Sequence, residues 1–219
     1  MERMEDFFAS RIEKYEEHML SAVYGCEQVY ALVPSFLPES CRDLLDLGCG
    51  TGLELKQIFK RFPDLHVTGI DLTKEMLNQL KRNYPYEDIK LICASYFDVE
   101  LQAEEYDCAI SFQTMHHFSH KAKIGLYQKI FRALKKNGIY IECDYMVDNQ
   151  EEEDFYFAEN IRIREQLNIP EQDFYHYDTP CTVSNQIAML RQGGFIRVES
   201  VFRMGKTAVI VAYKRSDCK

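Results

Sequence analysis

The chain reads Leu44-Leu45-Asp46-Leu47-Gly48-Cys49-Gly50-Thr51-Gly52 at the point that decides its fold. The apolar run is too short for a helix and closes on glycines, which predicts a buried parallel strand followed by a tight turn. Apolar residues then recur at helical spacing, so a helix begins after the turn. Glycines let the backbone approach a ligand closely, and a helix N-terminus offers free N–H groups. Strand, glycine turn and helix predict the opening of a nucleotide-binding βαβ unit.

The spacing of the glycines separates two kinds of nucleotide-binding motif. A dinucleotide fingerprint needs its third glycine three places after the second, where this chain has Leu53. A P-loop needs Gly-Lys-Ser/Thr five positions after its first glycine, and no such run stands at that spacing after Gly48, Gly50 or Gly52. The string from Asp46 to Gly52 instead resembles motif I of the class I S-adenosylmethionine-dependent methyltransferases.

This resemblance implies a fold, a cofactor and an organisation of the chain. The fold is α/β, Rossmann-like: a doubly wound, seven-stranded, mostly parallel sheet with a C-terminal antiparallel hairpin. Alternating residues over 195–202 and 207–213 independently predict that hairpin. The implied cofactor is S-adenosyl-L-methionine, with S-adenosyl-L-homocysteine as product. We expect one domain over 1–219, with an N-terminal helical cap over 1–38 and an acceptor-side insert over 146–182.

The resemblance also implies which residues bind the cofactor. Asp71 ends the second predicted strand about 20 residues past the glycines, where a carboxylate suits two ribose hydroxyls. Its alternative role is to cap the helix that begins at Thr73. The family often has an acid at the position of Ser95. The hydrogen bond from the Ser95 hydroxyl to adenine would be weaker than the bond that an acid makes. The predicted cofactor-binding residues are Tyr15, Asp46, Gly48, Cys49, Gly50, Gly52, Asp71, Leu72, Met76, Ser95, Tyr96, Phe112 and Gln113.

The N-terminal segment is predicted to be helical, and the resemblance implies that it covers the cofactor pocket. Apolar residues follow helical spacing from Met4 to Val23, with acids on the other face. Tyr15 and His18 are candidates for contact with cofactor or acceptor. The alternatives are that Tyr15 belongs only to the apolar face and that His18 is solvated.

Two adjacent histidines follow the fourth predicted strand, where ligands bind in open α/β sheets. His116 and His117 are the candidate catalytic bases, because imidazole titrates near neutral pH; alternatively, one ring only hydrogen-bonds the loop. No metal site is expected, since two consecutive histidines have no identifiable third ligand. The residues predicted to bind the acceptor are Asp144, Tyr145, Tyr175 and Tyr177.

Composition limits the classes of partner. The chain has 219 residues, a net charge of −9 and no basic stripe, so a nucleic-acid substrate is not expected. No apolar run approaches membrane-spanning length and no signal-peptide pattern opens the chain, which predicts a cytoplasmic protein without membrane contact. The eight cysteines form no C-x-x-C pair, so zinc spacing is absent.

The predicted function is methyl transfer from S-adenosyl-L-methionine to oxygen or nitrogen of a small-molecule acceptor. Three alternatives stay open: a tRNA-modifying methyltransferase, a non-catalytic cofactor-binding protein and an NAD-dependent oxidoreductase. A basic ridge beside the pocket would favour the first of these. The residues leave the acceptor's identity and the oligomeric state open.

Overall fold

The computed structural model describes residues 1–170 and 173–215, which form eight α-helices and eight β-strands. The helices are α1 (Met4–Ala9), α2 (Ile12–Ser21), α3 (Cys26–Leu32), α4 (Leu55–Arg61), α5 (Lys74–Asn83), α6 (His120–Ala133), α7 (Gln150–Leu167) and α8 (Val183–Gln192). The strands are β1 (Asp43–Leu47), β2 (His66–Asp71), β3 (Ile89–Cys93), β4 (Tyr106–Phe112), β5 (Leu134–Val147), β6 (Cys181–Thr182), β7 (Arg197–Met204) and β8 (Thr207–Tyr213). Among the described helices, none has the length and apolar character needed to cross a membrane.

The strands form one mixed sheet in the order β3-β2-β1-β4-β5-β8-β7, with β6 beside β5. Strands β1 to β5 pair in parallel, and β8 pairs antiparallel with both β5 and β7. The predicted doubly wound sheet and its terminal hairpin are confirmed; the two-residue β6 adds to the seven expected strands. The strand order reverses between β1 and β4, so their carboxyl ends flank the crevice in which such sheets bind ligands.

The sheet is buried on both faces, which explains the continuous apolar run in β1. Successive side chains of a strand point to opposite faces. Leu44 packs in one core cluster with Val29 and Ile58, whereas Leu45 packs in the other with Leu126 and Leu190. A central parallel strand therefore needs leucine at adjacent positions rather than apolar–polar alternation.

The first part of the N-terminal cap forms two short helices rather than one continuous helix. The pattern from Met4 to Val23 predicts a single helix, but α1 ends at Ala9 and α2 begins at Ile12. The Ser10 hydroxyl donates to the carbonyl of Phe7, a local bond that competes with helix continuation. The break lets α1 turn back over the sheet, where its first residue meets the chain that follows α7.

The segment after α7 is extended and lies between the cap and the sheet. The amide of Met4 donates to the carbonyl of Phe174, and the amide and hydroxyl of Thr179 both donate to the carbonyl of His116. The insert is thereby anchored to the loop that follows β4. Residues 171 and 172 of the predicted insert lie outside the described residues, and the division into cap, core and insert stays a prediction.

Gly69 on β2 lies directly behind the glycine turn. A Cβ at this position would lie 2.8 Å from Sγ of Cys49, which is closer than well-packed atoms approach. We expect Gly69→Ala to lower the free energy of unfolding by about 1–3 kcal/mol through overpacking. Urea denaturation of the two proteins measures the difference.

The matched control removes the sulfur instead of the glycine. In a Cys49→Ala background, Gly69→Ala should cost clearly less, because its methyl group meets no sulfur. An equal cost in both backgrounds would contradict this contact as the cause.

Candidate active site

The glycine turn owes its shape to three backbone conformations that favour glycine. Gly48, Gly50 and Gly52 have φ angles of +74°, +47° and +76°, a region that costs other residues energy. The amide of Gly48 donates to the carbonyl of Ile70 over 2.8 Å. A Cβ on Gly48 would lie 2.8 Å from Oγ1 of Thr114. The turn therefore packs tightly between the end of β2 and the loop after β4.

Asp71 attaches the turn to the neighbouring strand and helix. Its Oδ2 accepts from the amide of Gly50 over 2.9 Å, and its Oδ1 accepts from the amide of Thr73 over 2.7 Å. The second bond lies just before α5, but the N-cap residue of this helix is Thr73, so Asp71 is not its N-cap. Burial raises the pKa of Asp71, while these hydrogen bonds oppose the rise by favouring the carboxylate.

Two further acids lie buried behind the turn. Asp46 and Glu54 are 1% and 5% exposed. Burial raises the pKa of both carboxyl groups, for Glu54 to about 7. Among the described residues, no donor group contacts either oxygen of Asp46 or Oε1 of Glu54, and the two carboxyl groups interact with each other instead. Unpartnered buried acceptors are costly, so this region suits a ligand that brings positive charge or donors.

A first cavity opens beside the turn and Asp71, and most of the predicted cofactor residues line it. Those that do are Tyr15, Gly48, Gly50, Asp71, Leu72, Met76, Ser95, Tyr96, Phe112 and Gln113. The sequence analysis did not identify Met4, Phe8, Thr114, Phe118 and Phe174, which also line it. The helical spacing of Met4 and Phe8 was the one available signal for those two residues.

Three predicted cofactor residues do not line this cavity. Sγ of Cys49 instead packs against Gly69, and a Cβ on Gly52 would lie 2.9 Å from the ring of Tyr84. Asp46 lies behind the turn beside Glu54. Burial raises the pKa of Asp46, and the charge of Glu54 raises it further. These residues shape the turn from its inner side.

Gln113 stands at the junction between this cavity and the next. It has a φ of +50°, uncommon for a residue with a side chain, and its amide donates to the carbonyl of Cys143 over 2.8 Å. Its Nε2 is buried without a hydrogen-bond partner among the described residues. Backbone strain of this kind clusters at ligand sites, and the unpaired donor is directed at space that a ligand could fill.

A second cavity of about 590 Å³ adjoins the first, within the usual range for small-molecule sites. Phe8, Tyr15 and Gln113 line both cavities. The other aromatic and charged side chains around the second cavity are Phe7, Arg11, Lys14, His18, Tyr24, His116, His117, Tyr145, His176, Asp178 and Lys206. The two cavities thus meet at the carboxyl ends of the central strands.

The histidine pair forms the inner wall of the second cavity. The side chains of His116 and His117 are 9% and 3% exposed. Nδ1 of His116 pairs with the carboxylate of Asp144. Burial lowers the pKa of His116, but the Asp144 and Asp178 carboxylates outweigh it and raise the pKa above its usual value. For His117, burial and the neighbouring His116 lower the pKa.

The aromatic segment of the insert contributes residues other than those predicted. Side chains alternate along an extended chain, so Phe174, His176 and Asp178 reach the cavities. Tyr175 and Tyr177, the predicted acceptor residues, line neither cavity. If the sequence had shown that this segment is extended, alternation would have identified Phe174, His176 and Asp178 as one face of it.

The other two predicted acceptor residues divide between the cavity wall and the layer behind it. Tyr145 lines the second cavity. Asp144 does not line it, because its carboxylate pairs with His116 and accepts from the amide of Tyr145 over 2.8 Å.

Comparison with known proteins identifies a methyltransferase domain. Residues 44–138 match the model of that domain family. The chain is 31% identical over 97 residues to a malonyl-[acyl-carrier protein] O-methyltransferase of Acetivibrio thermocellus, covering 44% of this chain and 33% of that protein. It is 22% identical over 193 residues to a carboxy-S-adenosyl-L-methionine synthase of Nautilia profundicola, covering 84% and 81%. The chain thus spans about a third of the first relative's length.

The fold is also similar to that of a solved methyltransferase. Human N-acetylserotonin methyltransferase in complex with S-adenosylmethionine superposes with a TM-score of 0.67 at 19% identity. The match covers 96% of this chain and 56% of the human protein. At 19% identity, this similarity supports the fold alone.

The raised pKa of Glu54 makes the stability of the protein depend on pH. Burial raises the pKa of Glu54 in the folded chain to about 7, from the 4.5 of a solvated glutamate, so the folded chain keeps a proton that the unfolded chain releases. The free energy of unfolding should therefore fall as the pH rises from about 4.5 to about 7. Glu54→Gln should remove up to about 3 kcal/mol of this fall, as measured by urea denaturation across that range.

The control is Glu75→Gln, which neutralises an exposed glutamate on α5. Its pH profile should follow that of the unmodified protein. An unchanged slope in Glu54→Gln would mean that Glu54 does not hold this proton.

Proposed function

Since residues 44–138 match a methyltransferase domain, we propose that this chain is a class I S-adenosylmethionine-dependent methyltransferase and that it methylates a small molecule that carries an acidic hydroxyl or carboxyl group. The observation that carries this proposal is the junction of the two cavities at Phe8, Tyr15 and Gln113. A methyl donor in the first cavity and an acceptor in the second would meet there, at the carboxyl ends of the central strands.

The residues around the first cavity suit the cofactor. Asp71 and the glycine turn would hold the ribose and methionine parts, with Leu72 and Met76 as apolar contacts for adenine. The unpaired Nε2 of Gln113 and the buried acids behind the turn would gain partners from a polar, positively charged ligand. When bound, S-adenosyl-L-methionine supplies a reactive methyl group on its sulfonium centre.

The cap must move for the cofactor to enter. The first cavity measures about 60 Å³, below the roughly 300–1,000 Å³ of small-molecule sites. Met4 and Phe8 of α1 form its outer wall, and two backbone hydrogen bonds, from Met4 to Phe174 and from His176 to Glu2, join this end of the cap to the insert. An outward shift of α1 would open the cavity, and its return would exclude water.

The second cavity suits an acceptor that combines a flat apolar body with an anionic group. Its aromatic wall includes Tyr145, and Arg11, Lys14 and Lys206 line it beside one acid, Asp178. Cationic side chains would attract and orient a carboxylate or phenolate. Oxygen acceptors of this kind are poor nucleophiles until ionised, which favours a site that also handles a proton.

His116 is the better placed of the two candidate bases. The Asp144 carboxylate accepts from its Nδ1–H, so Nε2 carries the lone pair and lies on the cavity side, 3.6 Å from Asp178. Nε2 could take the acceptor's proton as the methyl group transfers. His117 would then help to bind the acceptor rather than act as the base.

The alternatives make different predictions. Thermal stabilisation by NAD but not by S-adenosylhomocysteine would favour an oxidoreductase. Tight cofactor binding without turnover would favour a non-catalytic binding protein. Activity on tRNA alone would favour the nucleic-acid alternative, which the net charge of −9 disfavours. A cytoplasmic location stays a prediction.

The decisive experiment is a transfer screen with tritium-labelled methyl donor. A metabolite extract, divided into acidic and basic fractions, supplies the acceptors, and mass spectrometry identifies the labelled product. Label in a compound from the acidic fraction supports the proposal. Label only in amines, only in tRNA, or in a carboxylated form of the cofactor would overturn the acceptor class.

Asp71→Ala should weaken the binding of S-adenosylhomocysteine by about 1–3 kcal/mol, because buried hydrogen-bond partners lose their carboxylate. Isothermal titration calorimetry measures the affinity. The control, Asp88→Ala, removes an exposed carboxylate that pairs with His66 at the surface and should leave the affinity unchanged. Equal affinities for Asp71→Ala and the unmodified protein would refute the ribose assignment.

His116→Asn should reduce turnover by roughly 100-fold or more, the scale of general-base catalysis. Its affinity for S-adenosylhomocysteine should change little, because the ring lines the acceptor cavity. The measurements are turnover with the acceptor found in the screen and calorimetry with the product cofactor. If both quantities fell together, or neither fell, His116 would have no specific role in proton transfer.

A further inference from the structure

Three side chains converge on one point at the inner end of the second cavity. Nε2 of His116 lies 3.6 Å from Oδ1 of Asp178, and Nδ1 of His117 lies 3.4 Å from the same oxygen. The three potential ligand atoms all lie within 4.8 Å of one another. Ligand atoms around a tetrahedral zinc ion are separated by about 3.4 Å, given bonds of about 2.0–2.2 Å. Both measured distances to Asp178 match that separation.

The oxygen at the centre of this group lies among imidazole nitrogens, with Nε2 of His176 at 4.0 Å as a third neighbour. Oδ1 of Asp178 is buried and has no hydrogen-bond partner among the described residues, although these nitrogens lie near it. Nδ1 of His117 also lies 3.4 Å from the carbonyl of Tyr177, so a bound ion would replace that long contact and take the lone pair of the nitrogen. An unsatisfied buried carboxylate oxygen calls for such an explanation.

A second layer of contacts fixes the first histidine as it does in known metal sites. Nδ1 of His116 pairs with the buried carboxylate of Asp144, which leaves Nε2 as an electron-pair donor. Carboxylate–histidine–metal arrangements of this type orient the ring and raise its basicity. Asp144 is itself held by the amide of Tyr145.

The loop that carries the carboxylate is held in place by Thr179. Its amide and hydroxyl donate to the carbonyl of His116 over 2.6 Å and 3.0 Å. Asp178 is thereby kept beside the histidines by a contact that does not depend on a ligand. A site held in this way is preorganised, so binding an ion would require little ordering of the chain.

Charge and ligand number indicate the kind of ion. With neutral imidazoles, the carboxylates of Asp178 and Asp144 give the group a formal charge of −2, which a divalent cation balances. Two nitrogens and one oxygen suit zinc and its first-row neighbours better than magnesium. Three protein ligands leave a coordination position open toward the cavity, as in catalytic rather than structural zinc sites.

The other group of potential ligands among the described residues lacks these properties. It comprises His120, Glu153 and Cys181. Glu153 already accepts from His120, the amide of Thr182 and the side chain of Asn185. The ammonium of Lys123 lies 3.1 Å from Sγ of Cys181 and would repel a cation. This group therefore serves as an internal control.

We propose that His116, His117 and Asp178 bind a divalent transition-metal ion of the zinc type, with its open position facing the acceptor. The expectation of no metal site rested on the lack of a third ligand in the sequence, and the fold supplies one. A bound ion would occupy Nε2 of His116, so metal binding and general-base action are alternative uses of that atom. In the metal-bound protein, the ion itself would orient the acceptor's oxygen and favour its ionised form.

The test measures metal binding directly, without cofactor or acceptor. The full chain is stripped with a chelator, and Co²⁺ is added while the visible absorption is recorded. We expect one Co²⁺ per chain, with intense d–d bands and no thiolate charge-transfer band. Stoichiometric Zn²⁺ should displace it, and Mg²⁺ should not.

Four variants assign the signal to this site. Asp144→Asn should weaken Co²⁺ binding about 10–100-fold, because it removes the partner of a ligand and not a ligand. Asp178→Asn should weaken it further, whereas Asp178→Glu should retain measurable binding. His120→Gln, in the other group, should bind as the unmodified protein does. Calorimetry with S-adenosylhomocysteine shows that each variant is folded.

Several outcomes would overturn the proposal. They are the absence of stoichiometric Co²⁺ binding, a thiolate band, unchanged affinity in both Asp144→Asn and Asp178→Asn, or loss of binding in His120→Gln. Because the readout needs no methyl transfer, the two proposals can fail independently. Metal binding can be absent while the proposed activity is found, and the activity can be absent while metal binding is found.

Discussion

One carboxylate holds the first cavity together. Asp71, at the end of β2, accepts the amide hydrogens of Gly50 and Thr73, so a single side chain joins the glycine turn, the second strand and the start of α5. The turn is thereby held against Thr114 at the end of the neighbouring strand. Because the carboxyl ends of β1, β2 and β4 meet at this place, the position of the whole cavity depends on that contact.

A second set of hydrogen bonds, made by Thr179, holds the acceptor side in place. Thr179 bonds to the carbonyl of His116 and fastens the insert onto the loop after β4. The histidines, Asp178 and His176 consequently share one wall. Gln113 lies between the two sets of hydrogen bonds with a strained backbone and an unpaired side-chain donor. Such strain persists only where the surrounding structure maintains it, and here both sets do so.

The two cavities differ in charge, and the difference suits a transfer between unlike ligands. The donor side holds the buried acids Asp46, Glu54 and Asp71. Burial raises their pKa values, and a nearby cation would favour their ionised forms. The acceptor side is lined by Arg11 and Lys14, with further cations around them. A cationic donor and an anionic acceptor would each find complementary charge. The net charge of −9 conceals this local separation, which exists only in the folded chain.

The sequence by itself determined the features that depend on near neighbours. Glycine spacing, apolar runs and alternation sufficed for the strands and the terminal hairpin, because strand and turn preferences are local. The doubly wound sheet and the residues expected at the first cavity came instead from the resemblance of the glycine turn to class I methyltransferases. Only the tertiary structure decided which residues meet across the fold. His116 and Thr179 are 63 positions apart, and nothing local marks their contact. After α7 the chain is extended, so successive side chains point in opposite directions. Only the packing of this segment decided that Asp178 faces the histidines and that Tyr177 faces away.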